Sequence, residues 1–151
     1  MKEILTKEII LREGKDADVD IGYDPLEYEY TDINTDLPYT GLVYSLYDED
    51  NIESYWYCNK GVEDKIHVEF YLDNKVKLYY EIKHNLMDGE YVEYNEGGKM
   101  IYQAEMELGI EKRYKKWDEK GNLIEEKKEP SEEDLQKILD RKKRIERRKK
   151  S

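Results

Sequence analysis

The chain has 151 residues, room for one domain or one array with a tail, and it is poor in core, with 38% hydrophobic against 42% charged residues. Its formal net charge is −11: residues 131–151 carry nine Lys/Arg against five Asp/Glu, or +4, leaving −15 on residues 1–130, a body that repels nucleic acid and attracts basic partners. The single Cys58 excludes an internal disulfide, and no stretch approaches the ~20 apolar residues of a membrane span.

Residues 1–36 form no clean repeat. Ile4-Leu5 and Ile9-Ile10-Leu11 suit a strand or a short helix equally. The N-terminus lacks the apolar core of a signal peptide, so a cytoplasmic protein is expected. Gly14 to Gly22 reads as an acidic turn. Asp16, Asp18, Asp20, Asp24 and Glu27 fall at positions 1, 3, 5, 9 and 12 of a notional calcium loop, but Ile21 stands where such loops need glycine and Pro25 interrupts it. The expectation is an acidic surface loop, with no metal. Leu26-Glu27-Tyr28-Glu29-Tyr30 alternates like a strand that adds an edge to a sheet formed by residues 37–128, and Thr31 to Asp36 is a polar link.

From residue 37 to 128 one pattern recurs four times. Leu46, Phe70, Tyr94 and Trp117 are anchors spaced 24, 24 and 23 residues apart, and Ile52, Val76, Met100 and Leu123 repeat the same steps. Asp50, Asn74, Gly98 and Gly121 supply a turn former four residues after each anchor, and Gly41, Lys65, Gly89 and Lys112 stand five before it. A period of this length marks an array of supersecondary units. Within each unit the apolar residues alternate, as in Ile66, Val68, Phe70 and then Val76, Leu78, Tyr80, so each unit is predicted to be a β-hairpin. The bends fall in Asp48–Asn51, Leu72–Lys75, Asn95–Lys99 and Asp118–Asn122.

Pro38-Tyr39-Thr40-Gly41 leading into Leu42-Val43-Tyr44-Ser45-Leu46-Tyr47 resembles the opening motif of the YwqK-like antitoxins, bacterial proteins built from a variant of the MORN hairpin repeat. Met87-Asp88-Gly89-Glu90-Tyr91-Val92-Glu93-Tyr94 is similar to that repeat's glycine-to-aromatic core, and Trp117-Asp118-Glu119-Lys120-Gly121-Asn122 to its closing unit. The second copy departs from the family at Asp64-Lys65, where glycine is preferred, which implies a bulged strand start. The resemblance implies a mainly β fold, an elongated antiparallel sheet of four MORN-like hairpins. It also implies a non-enzymatic antitoxin or immunity function, neutralising a toxin by protein–protein occlusion.

Counting the alternation assigns two faces. Leu42, Tyr44, Leu46, Ile52, Trp56, Ile66, Val68, Phe70, Val76, Leu78, Tyr80, Val92, Tyr94, Met100, Tyr102, Trp117 and Leu123 share the expected core face. Val43, Tyr47, Tyr55, Tyr57, His67, Tyr71, Tyr79, Tyr91, Ile101 and Tyr114 share the other. Tyr47, Tyr55, Tyr57, Tyr71, Tyr79 and Tyr91 are therefore the candidate partner contacts, because aromatics anchor interfaces. The alternative is that some of them pack beneath the N-terminal segment or the C-terminal helix.

Residues 129–151 change character. Ser131 with Asp134 three residues on fits a capping box, and Leu135, Ile138, Leu139 and Ile145 fall at helical spacing, so a basic C-terminal helix is predicted. Arg141, Lys142, Lys143, Arg144, Arg147 and Arg148 are candidates for binding nucleic acid or an anionic membrane, although no aromatics interleave with them as a stacking site requires. The plainer reading is a solvated helix end that offsets the acidic body.

No catalytic constellation emerges. His67 and His84 are not spaced as metal ligands, Cys58 reads as a small buried apolar residue, and Gly97-Gly98 is a hairpin turn rather than a phosphate loop. The expectation is a binding protein without cofactor, whose partner is a protein, a basic toxin on the family resemblance. The alternatives are a scaffold that self-associates through sheet edges or the C-terminal helix, and an adaptor using the basic helix.

Overall fold

The structure, a computed structural model, describes residues 3–150; Met1, Lys2 and Ser151 lie outside the described residues. It is mainly β. In chain order come α1 (Lys7–Glu13), β1 (Lys15–Asp16), β2 (Ile21–Asp24), β3 (Glu29–Asp32), β4 (Gly41–Asp48), β5 (Asn51–Asn59), β6 (Val62–Phe70) and β7 (Val76–Lys83). They are followed by β8 (Leu86–Tyr94), β9 (Met100–Glu107), β10 (Ile110–Trp117), β11 (Leu123–Lys127) and α2 (Glu132–Lys150). The chain divides into two compact units, Met1–Tyr79 and Tyr80–Ser151, the division falling inside β7.

The repeat becomes two kinds of turn at a fixed period. At one end of the hairpins, the N–H of Tyr71, Asn95 and Asp118 donates to the carbonyl four residues on. The N–H of Asn74, Gly98 and Gly121 closes each of these turns from a left-handed residue, which is why Asn and Gly recur there. At the other end lie tight pairs with φ > 0 at both positions: Lys60-Gly61, His84-Asn85 and Leu108-Gly109, also 24 residues apart. These have the signature of type I′ hairpin turns, whose twist matches that of the strands. Residue type marks this second set only at its second position, Gly61, Asn85 and Gly109, since Lys60, His84 and Leu108 at the first are not turn formers.

The two recurring apolar positions are cross-strand partners: Leu46 faces Ile52, Tyr94 faces Met100 and Trp117 faces Leu123. In each of these hairpins the register slips beside that pair, leaving Glu53, Ile101 or Ile124 as the extra residue. Such a bulge reverses the side-chain parity of everything beyond it. The expected bulge at Asp64-Lys65 is also present, Lys65 having φ 71° and the register slipping between Tyr57↔Asp64 and Trp56↔His67.

The assignment of faces is corrected accordingly. In the first unit Tyr44, Tyr55 and Val68 stand opposite one another, as do Val43, Trp56 and His67. Tyr55 thus belongs with the apolar residues expected on the opposite face, and Trp56 with Val43. Both faces are covered, so β5 buries Tyr55, Trp56 and Cys58 in near succession rather than alternately. One cover is the N-terminal segment. Thr6 caps α1, a helix where the sequence left strand or helix open, and Ile10 is buried. The other cover is the β2–β3 hairpin, a separate two-stranded sheet and not the added edge expected. Its Ile21 packs with Val43, Trp56 and Cys58, with Tyr30 and Tyr39 against them.

In the second unit the order is β7-β8-β9-β10-β11, with β8 through β11 antiparallel in succession. The Ser131 hydroxyl accepts from the Asp134 N–H (3.0 Å) while the Asp134 carboxylate accepts from the Ser131 N–H (2.9 Å), the capping box expected. Ile138 alone of the helix's apolar residues is fully buried, against Leu108 and Ile110; Leu135 and Leu139 remain exposed.

Candidate functional site

The six tyrosines expected on one contact face have four different fates. Tyr55 (1% exposed) and Tyr79 (2%) are interior. The Tyr55 hydroxyl accepts from the Leu5 N–H at 3.1 Å and its ring packs against Phe70, so it serves the N-terminal cover, the alternative reading of these tyrosines. Tyr47 is exposed at the ring, and its hydroxyl donates to the Phe70 carbonyl at 2.7 Å. Tyr57 and Tyr71 are half-buried, with the ammonium groups of Lys65 and Lys77 over their rings at 5.4 and 5.8 Å. Tyr91 stands with different neighbours.

Those neighbours form the most regular side-chain feature of the second unit. Tyr80 stacks on Tyr91 (5.9 Å, 15°), Tyr91 meets Tyr102 edge-on (5.9 Å, 87°) and Tyr102 stacks on Tyr114 (5.6 Å, 12°). The hydroxyls of Tyr91, Tyr102 and Tyr114 donate to the carboxylates of Glu93, Glu111 and Glu125. Burial, and then the Glu111 carboxylate, hold the Tyr102 phenol well above its ordinary range, so it stays a donor. All four tyrosines are half-buried. The result is a stripe in which aromatic faces alternate with fixed carboxylates, an arrangement that suits guanidinium and ammonium groups. Strict alternation splits it, placing Tyr80 and Tyr102 on the core face and Tyr91 and Tyr114 on the other. The register brings Tyr91, Ala104 and Tyr114 opposite one another, with Glu93 opposite Tyr102. A steady spacing of 11, 11 and 12 residues is the signal that would have revealed it.

Charge has a sharper segregation than the −15 of residues 1–130 suggests. Residues 16–59 contain twelve Asp/Glu and no Lys, Arg or His, a charge of −12. Residues 1–15 carry +1 and residues 60–151 balance to zero, so one contiguous stretch holds the whole excess. It comprises the acidic turn, the β2–β3 hairpin, β4 and β5. In the acidic turn the Asp16 and Asp20 carboxylates accept from the N–H groups of Asp18 and Asp16, and no group of three potential metal ligands converges among the described residues.

The basic helix end is partly engaged. Arg141 donates to the Leu108 carbonyl and Lys142 pairs with Glu107 at 2.9 Å, while Lys143, Arg144, Arg147 and Arg148 are exposed. No described helix is long and apolar enough to cross a membrane. Near Cys58, His67 stacks on Trp56 (5.7 Å) with its ring nitrogens 3.3 and 3.2 Å from Glu63 and Glu69. Burial, with Glu63 beside it, pushes the Cys58 thiol up to about 12, far from the thiolate a nucleophile needs. Comparison with protein-family models, curated proteins and solved structures finds no match.

Proposed function

We propose that this chain is a non-enzymatic binding protein that captures a basic protein partner and occludes its working surface, the antitoxin-like role its resemblance to the YwqK-like family implies. The observation that carries this reading is the confinement of the whole net charge to residues 16–59. An acidic body of this kind accelerates encounter with a basic protein and rejects acidic competitors. The tyrosine–glutamate stripe on β7 to β10 supports the same chemistry by a different route, since rings held by hydroxyl–carboxylate bonds lose little entropy on contact. The test is affinity capture from the native lysate at low and raised salt. A single basic protein should be recovered in fixed ratio at low salt and lost as salt rises; recovery of nucleic acid, or of acidic proteins alone, contradicts the reading.

A second reading, self-assembly, is favoured by β11. It is the terminal strand of its sheet, and Leu123 and Ile124 on it are 49% and 57% exposed. Light scattering across a concentration series separates the two, a constant monomer mass opposing assembly.

A further inference from the structure

We infer that the tip of the β2–β3 hairpin is the element that enters the partner: Leu26 and Tyr28, ringed by Asp24, Glu27 and Glu29, dock into an apolar pocket of a basic protein whose rim carries lysine or arginine. The inference rests on the proposed function and adds to it a named contact element.

Four observations converge on this loop. Leu26 is 87% exposed and Tyr28 73%, the two most exposed of the large hydrophobic residues, and Tyr23 at the end of β2 is 53% exposed. An isolated exposed leucine means little, but several exposed large apolar residues within one short hairpin, among charged neighbours, mark an interaction site. Secondly, the loop is set in its shape. Asp24 and Glu29 pair across its base, the Asp24 carboxylate accepts from the N–H groups of Leu26 (2.9 Å) and Glu27 (3.3 Å), Pro25 fixes one φ, and Tyr28 is held at φ 57°. A non-glycine residue in the left-handed region is tolerated only where its surroundings impose it, and a preset loop binds without an ordering cost.

Thirdly, the hairpin is tied to the rest of the first unit. The Tyr30 N–H donates to the Gly61 carbonyl (2.7 Å), the Gly61 N–H to the Tyr39 carbonyl (2.8 Å), and Lys15 pairs with Asp32 at 2.8 Å. Tyr30 packs between Tyr23 (5.3 Å) and Trp56 (6.1 Å), and Ile21 and Thr31 on the two strands are buried while the tip is exposed. Fourthly, the tip lies within the stretch that has no basic residue, so its charge complement is a basic partner and not a second copy of the same acidic segment. Aromatic and leucine anchors within a charged rim have the anatomy of an interface hot spot.

The experiment places a photo-crosslinking amino acid at position 26, and at position 72 as control, Leu72 being a 60% exposed leucine of the β6–β7 turn. Each full-length protein is irradiated in native lysate and the adduct identified by mass. Affinity for the recovered protein is then measured for the wild type, for Leu26→Ser with Tyr28→Ser, and for Leu72→Ser. A crosslink from position 26 to a basic protein, with affinity reduced about 30-fold or more by the tip substitutions and unchanged by Leu72→Ser, supports the inference. A basic protein captured by the chain but bound equally well by the tip variant, with its native circular dichroism, overturns the tip while leaving the proposed function standing. Capture of no basic protein overturns both.

Discussion

Gly61 shows how one residue decides the placement of a whole hairpin. It has φ 84°, and a Cβ built there would lie 2.8 Å from the Glu29 Cβ and 2.9 Å from the Tyr30 carbonyl oxygen. Gly121 has a similar φ of 86° with nothing within 4 Å. Gly121→Ala therefore carries only the backbone penalty, about 1 kcal/mol. Gly61→Ala adds a backbone collision and should cost about 2–3 kcal/mol. Urea unfolding of both variants checks this; equal losses would mean that β3 does not lie against Gly61. Tyr55 makes the same point about legibility. Its type and spacing match Tyr79, and nothing in either residue announces burial; what seals Tyr55 is Leu5, fifty residues away.

At the scale of elements, the hairpin turns were legible because Asn74, Gly98 and Gly121 are the residues that left-handed positions require. The C-terminal helix was legible because its capping box is local. The faces of the sheet were not, because an alternation count has no way to register Glu53, Ile101 or Ile124 as extra residues when each is an ordinary strand former or a charged residue in a strand. The tyrosine stripe was lost with them.

The helix α2 yields two predictions. Ile138 alone of its apolar residues is fully buried, so Ile138→Ala should cost about 2–4 kcal/mol. Leu135→Ala, at a residue 53% exposed, should stay within about 0.5 kcal/mol. Amide exchange across α2 reads the difference, and equal protection in both variants would contradict the packing on Leu108 and Ile110. The second concerns pH. The Lys127 ammonium, and then the Ser131 N–H, hold the Asp134 carboxyl down to about 2. A folded value below the unfolded one means that its contribution is complete above about pH 4 and is lost as pH falls through about 2. Helical ellipticity of the wild type should show a step in that window that Asp134→Ala lacks; superimposable acid titrations would remove Asp134 from the cap.

For the whole molecule, the net charge of −11 is less informative than its location, a −12 stretch in a chain otherwise near balance. Dividing the chain at residue 130, where composition changes, reveals an acidic body but hides where in it the acid lies. Leu26 to Tyr30 has the pattern of a strand, because Leu, Tyr and Tyr alternate with Glu. The structure gives Glu29 and Tyr30 to β3 and leaves Leu26 to Tyr28 exposed in a loop, since Pro25 and the Asp24 carboxylate turn the chain first. Apolar residues placed in an acidic loop by a turn are what the fold adds to the composition.

Under the proposed function, charge on this stretch brings a basic protein to the chain. The association rate constant of the captured partner, measured as a function of salt, reads this steering. Electrostatic steering predicts a rate that falls about tenfold or more as the Debye length shortens from about 30 Å at 0.01 M to about 8 Å at 0.15 M, with the dissociation rate little changed. An association rate independent of salt would contradict steering by this acidic stretch.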